Sequence, residues 1–133
     1  IVSTVGGAFT LVPGLTQTFS VPANARVYVA SNGGSATNSG TANNGSILDV
    51  ALSVDGGNPE VDSLPDFFQR MTAANAANVG GFEYWSMSGV VALAPGTHTV
   101  SIQSRLIAGS AATVSGDANS TLQGSLTILI LKA

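Results

Sequence analysis

Residues 97–106 read Thr-His-Thr-Val-Ser-Ile-Gln-Ser-Arg-Leu. Val100, Ile102 and Leu106 take even positions, while Thr99, Ser101, Gln103 and Arg105 take the odd positions around them. A period of two puts apolar groups on one face of an extended chain, whereas a helix brings together residues three and four apart. A strand with one buried face is expected. Just before it, Ala94-Pro95-Gly96 supplies a tight turn and Glu83 to Leu93 reads as a longer strand, so these two strands are expected to form a hairpin.

Outward from this stretch the same period recurs. Leu15, Phe19 and Val21 alternate with Thr16, Thr18 and Ser20 until Pro22 ends the run, and Arg26 to Ala30 is a short strand. Ile47 to Val54 sets Leu48, Val50, Leu52 and Val54 on one face against Asp49, Ala51 and Ser53. It is closed by Asp55-Gly56-Gly57, which can take positive φ. Phe67 to Thr72 is a weaker strand. Leu126 to Leu131 is apolar on both faces, which calls for cover on both sides, from the domain itself or from a neighbouring subunit. Ser31 to Ser46, nearly all Ser, Asn, Gly, Ala and Thr, is expected to be a long polar loop. Ala73 to Asn78 has the alanine content for a turn or two of helix. Short strands separated by Gly, Pro and Asn, with no long helical period, indicate an all-β fold: one jelly-roll-like antiparallel β-sandwich over residues 8–133, preceded by an arm at residues 1–7.

Composition narrows the function. The 133 residues carry four cationic and seven acidic side chains, 8% charged, about a third of the roughly 25% usual for soluble domains. Sixteen Gly, sixteen Ser, twelve Thr and nine Asn make a polar but nearly uncharged surface. Four scattered cations do not track a phosphate backbone, and there is no basic block for an anionic membrane, so neither nucleic acid nor membrane insertion is expected. Apolar runs fall well short of the eighteen or more residues of a membrane span. With no cysteine, a disulfide framework and thiolate metal sites are excluded. The uncharged Ser/Thr/Asn surface, with Ile1 in place of Met, reads as a mature, exported chain at the cell surface or outside it.

Two resemblances rest on particular residues. Residues 84–93, Tyr-Trp-Ser-Met-Ser-Gly-Val-Val-Ala-Leu, followed by Ala94-Pro95-Gly96-Thr97-His98-Thr99-Val100-Ser101-Ile102-Gln103-Ser104-Arg105, resemble a segment of bacterial and phage domains of the C1q/TNF jelly-roll type. The strand at Leu122 to Lys132 and the Val-Ala-Leu-Ser-Val-Asp-Gly run at 50–56 match that layout. This resemblance implies a sandwich that assembles through its faces, typically as a homotrimer, and binds partners, glycans among them. The aromatic-rich trimer seam of that family is absent here. The chain also resembles the small subunits of prokaryotic extracellular fibres, in which an N-terminal strand of one subunit completes the sheet of the next. Ile1, Val2, Ser3, Thr4 and Val5, followed by Gly6-Gly7, have the form of such an arm. Strand addition relies on main-chain hydrogen bonds, so a weakly patterned arm suffices, and a head-to-tail contact of this kind builds open filaments. The alternative is that the arm pairs within its own sheet.

Residues able to carry chemistry are few, and no catalytic set is expected. His98 is the sole histidine. It shares the parity of Val100 and Ile102 and follows a turn, so a turn-capping role at the core edge is expected rather than catalysis or zinc binding. Asp55, Asn58, Glu60 and Asp62, with Asp66 close behind, form the densest oxygen cluster. Hard oxygens on a Gly-containing loop suit calcium, although the spacing is not an EF-hand, and a loop that simply keeps water at the surface is the commoner explanation. Paired acids could also serve glycoside hydrolysis, but no aromatic groove accompanies them. Otherwise no cofactor is expected. Alternation separates Tyr84 from Trp85, one facing in and one out, and the Phe residues are expected in the core. Asn44-Gly45-Ser46 and Asn119-Ser120-Thr121 match the acceptor sequon, a short motif that also arises by chance, and glycosylation at Asn44 and Asn119 is the expectation for an exported chain. The expected function is a non-enzymatic subunit of an extracellular fibre that polymerises with itself. The alternative is a trimeric, ligand-binding head.

Overall fold

The alternation at 97–106 is realised in a strand in which Val100, Ile102 and Leu106 are almost wholly buried. The computed structural model describes residues 2–3, 7–59, 64–75, 81–115 and 122–132. Its strands in chain order are β1 (Val2–Ser3), β2 (Thr10–Val21), β3 (Ala25–Thr37), β4 (Gly45–Val54), β5 (Phe68–Ala74), β6 (Phe82–Val91), β7 (Gly96–Gly109), β8 (Ala112–Ser115) and β9 (Ser125–Lys132), with a 3-10 turn at Pro65–Phe67 before β5.

β1 pairs β8, β2 pairs β7, β3 pairs β6 and β4 pairs β5, all antiparallel. Each pair of numbers sums to nine, so the chain is one antiparallel ribbon rolled up with successive pairs in opposite sheets. This is jelly-roll topology. One sheet runs β1-β8-β3-β6, with β9 lying beside β8 along the same side of β3; the other runs β2-β7-β4-β5. The two inner faces meet in a core that includes Val29, Leu48, Val50, Trp85, Val100 and Ile102. The all-β sandwich expected from the sequence is therefore present.

Three local expectations are corrected. The strands on either side of Ala94-Pro95-Gly96 do not form a hairpin: β6 pairs with β3 in one sheet, and β7 with β2 and β4 in the other. Residues 92–95 instead cross between sheets, a step of about 10 Å that four extended residues can span. Ser31 to Ser46 is not a long loop either, because β3 continues to Thr37 and β4 begins at Gly45. Its small residues are what the strand requires: a Cβ on Gly33 would collide with the Trp85 ring, and one on Gly34 would press on Tyr84 and Leu122. Ala73 and Ala74 belong to β5, not to a helix, and residues 76–78 of that expected turn of helix lie outside the described residues. There β4 offers a partner ladder from Gly45 to Ala51, and tertiary pairing overrides alanine's helical preference.

Candidate functional site

Of the expected assembly arm, Val2 and Ser3 lie within the described residues, whereas Ile1, Thr4 and Val5 lie outside them. Val2 and Ser3 form β1, paired antiparallel with Thr113 and Ala112 of β8. Within one chain the segment therefore occupies the edge of its own sheet. Two register pairs hold it there. The next strand along, β8, is itself only four residues long and adds to β3 through Gly34–Thr37.

Asp55, first of the expected oxygen ligands, ends β4 with φ 51°. Its Oδ1 accepts from the Thr99 backbone N–H at 2.8 Å, and Oδ2 lies 2.7 Å from His98 Nδ1. These bonds, the Thr99 amide first and the imidazole second, hold the Asp55 carboxyl below its ordinary value. His98 Nε2 lies 2.8 Å from the Ala94 carbonyl. Both of its partners are acceptors, so only the doubly protonated imidazolium donates to each. Asp55 above all, and then the Ala94 carbonyl, raise the pKa of His98. His98 thus clamps the β6–β7 crossing to the end of β4, the turn-capping role read from its position. Among the described residues no group of three or more His, Cys, Asp or Glu is placed to hold a metal. Asn58 lines a cleft, and Glu60 and Asp62 lie outside the described residues.

That cleft, about 310 Å³, lies between Ala8-Phe9 and the Gly56–Pro59 loop, with Gln103 and Arg105 in its lining. Beside it is a cluster that alternation alone did not reveal. Asp49 falls on the face read as outward, yet its side chain is fully buried. Arg70 donates from Nε and Nη2 to its two oxygens at 2.7 and 3.0 Å, and Arg105 donates to Oδ2 at 3.1 Å. Arg105 also lies 4.6 Å above the Phe9 ring, which packs edge-on against Phe68. Ala51 and Ser53 on the same face are buried too, so the outer face of β4 is covered. The available signal was register: Arg70, Asp49 and Arg105 are directly opposite one another on β5, β4 and β7.

The aromatic pair divides as alternation required. Trp85 is buried and donates to Ser31 Oγ at 3.2 Å, while Tyr84 is half exposed. Phe67 is in the core, but Phe82 departs from the expectation: it shares Tyr84's outer face and is half exposed. Asn44 is exposed, but the serine of its sequon is not; Ser46 is buried, with Oγ 2.6 Å from the Ser110 carbonyl and 2.8 Å from Thr37 Oγ1. A transferase reading that serine would have to act before folding. Asn119 lies outside the described residues. No protein-family model matches this chain, and no curated protein matches its sequence.

Proposed function

We propose that this protein is a non-enzymatic structural subunit of an extracellular fibre, assembled by β-strand addition in which the N-terminal segment of one copy joins the sheet of the next. The observation that carries this reading is β1, a two-residue strand at the sheet edge, held by two register pairs to β8. In sequence it is joined to the body through Gly6-Gly7. Transfer of such a strand to the β8 of a neighbour remakes the same pairs, so exchange costs little beyond the freedom lost on association. A head-to-tail exchange does not close and propagates. The engagement of both nitrogens of His98 in a turn clamp supports a structural role for the single imidazole. The sparse charge of the surface supports a subunit whose edges accept other chains.

The test is removal of residues 1–7. The truncated chain keeps the β circular-dichroism signature of the full chain and forms no filaments by negative stain; filaments from the truncated chain would exclude the reading. The cleft at Phe9 and Arg105 favours one competing function, a C1q/TNF-like ligand-binding head. That reading requires closed particles, trimers in the family resembled, with one discrete mass in light scattering.

A further inference from the structure

Among the described residues the two sheets present several edges, and those of β2, β5, β6 and β8 are blunted or covered. β8 is covered by β1. β2 carries Pro13 and Gly14, with a register break between Leu11 and Thr16, and both proline and a bulge disable an edge. At the opposite flank β5 carries Arg70, and the β6 edge is met by the Gln69 amide, which accepts from the Ser86 N–H at 3.2 Å, and by the Phe67 ring over Gly89. Beyond the two-residue β1, the edge left is that of β9. Alternation of backbone groups along an antiparallel strand turns the N–H and C=O of Leu126, Ile128, Ile130 and Lys132 away from β3. Of these, the Leu126 carbonyl is taken by Gln17 Nε2 at 2.9 Å. No described strand pairs with this side of the rest of β9.

The side chains favour pairing as well. Leu129 and Leu131 stand about half exposed on the outer face, and cross-strand register continues Leu129 into Tyr28 and Val90, the last 58% exposed. β9 and β2, which share this flank, contain Lys132 as their only charged residue. We infer that β9 is a self-pairing edge, which joins antiparallel to β9 of a second copy about a two-fold axis at Leu129, independently of any exchange at the N-terminus. In this register Leu129 faces Leu129, Ile128 faces Ile130, Thr127 faces Leu131 and Lys132 faces Leu126. The lysines do not oppose each other, and the occupied Leu126 carbonyl falls at the end of the ladder. Shifting the dyad to Ile128 would put that carbonyl well inside the ladder. A two-fold axis normal to the sheet keeps inner faces together and makes the Val90–Tyr28–Leu129 row continuous across the dimer. Eight residues give an edge about 27 Å long. Across a flank about 20 Å deep it would bury on the order of 500 Å² per copy, or about 1,000 Å² in all, the lower bound for a specific interface.

The chain has no cysteine, so a single introduced thiol reports the pairing without background. Leu129→Cys in the full chain is expected to oxidise to a covalent dimer, read on a non-reducing gel, about a hundred-fold faster than Val90→Cys or Thr127→Cys, because pairing raises the local thiol concentration. Thr127 is four residues from its own copy in this register and serves as the near control. Equal rates at the three sites would overturn the inference, whether or not filaments form. If Leu129→Cys fails to fold, Leu129→Lys and Leu129→Glu answer the same question. Mixed, they form a heterodimer that neither forms alone; no gain on mixing overturns it.

Discussion

At the residue scale, two charged centres do different jobs. His98 is raised and Asp55 lowered from their ordinary values of 6.5 and 3.8. The contribution of His98 is full below 6.5 and is lost as pH rises through its raised folded pKa. That of Asp55 is full above 3.8 and is lost as pH falls through its lowered one. The clamp therefore stabilises most between about pH 4 and 6. Thermal melting should show the midpoint falling from pH 6 to pH 8, and His98→Gln should flatten that slope, with no other histidine to confuse the assignment. Asp49 is the structural charge. Replacing it with Ala leaves two guanidinium groups crowded without their shared carboxylate and, since Arg70 is more than half exposed, should cost about 1–3 kcal/mol in chemical denaturation. An unchanged midpoint would show that the pair is dispensable.

At the element scale, strand identity was legible and strand partnership was not. Period-two runs at 15–21, 47–54 and 97–106 correspond to β2, β4 and β7, because each buries one face against the other sheet. The β6–β7 turn looked like a hairpin because Pro and Gly mark a reversal of the chain but do not say whether it stays in the sheet. Crossing was decided by longer-range pairing with β3 and β2. The Ser31–Thr37 half of β3 was invisible to composition, since its glycines leave room for aromatic rings from another strand. Gly33→Ala should accordingly cost about 1–3 kcal/mol through overpacking against Trp85, far more than an added methyl costs on a surface loop. A neutral result would show that the indole shifts freely. Asp49 escaped because alternation names a face without saying what lies over it. Gln17 carried a readable signal, a polar residue on the parity of Leu15, Phe19 and Val21, and it bonds the Leu126 carbonyl at the edge of β9.

At the scale of the whole molecule, a jelly roll with few charges has two ways to grow. One is exchange of β1 onto a neighbour's β8; the other is direct pairing of β9. They use different strands and symmetries, the first open and the second closed, so together they would give filaments joined laterally in pairs. A mixed-chain cross-link measures the exchange itself. Val2 lies opposite Thr113 in the single chain. Chains carrying only Val2→Cys, co-assembled with chains carrying only Thr113→Cys and then oxidised, can form this bond only between copies. Exchange yields a covalent heterodimer whose amount rises with filament formation. Filaments without that heterodimer, while the doubly substituted chain closes its bond internally, would contradict it.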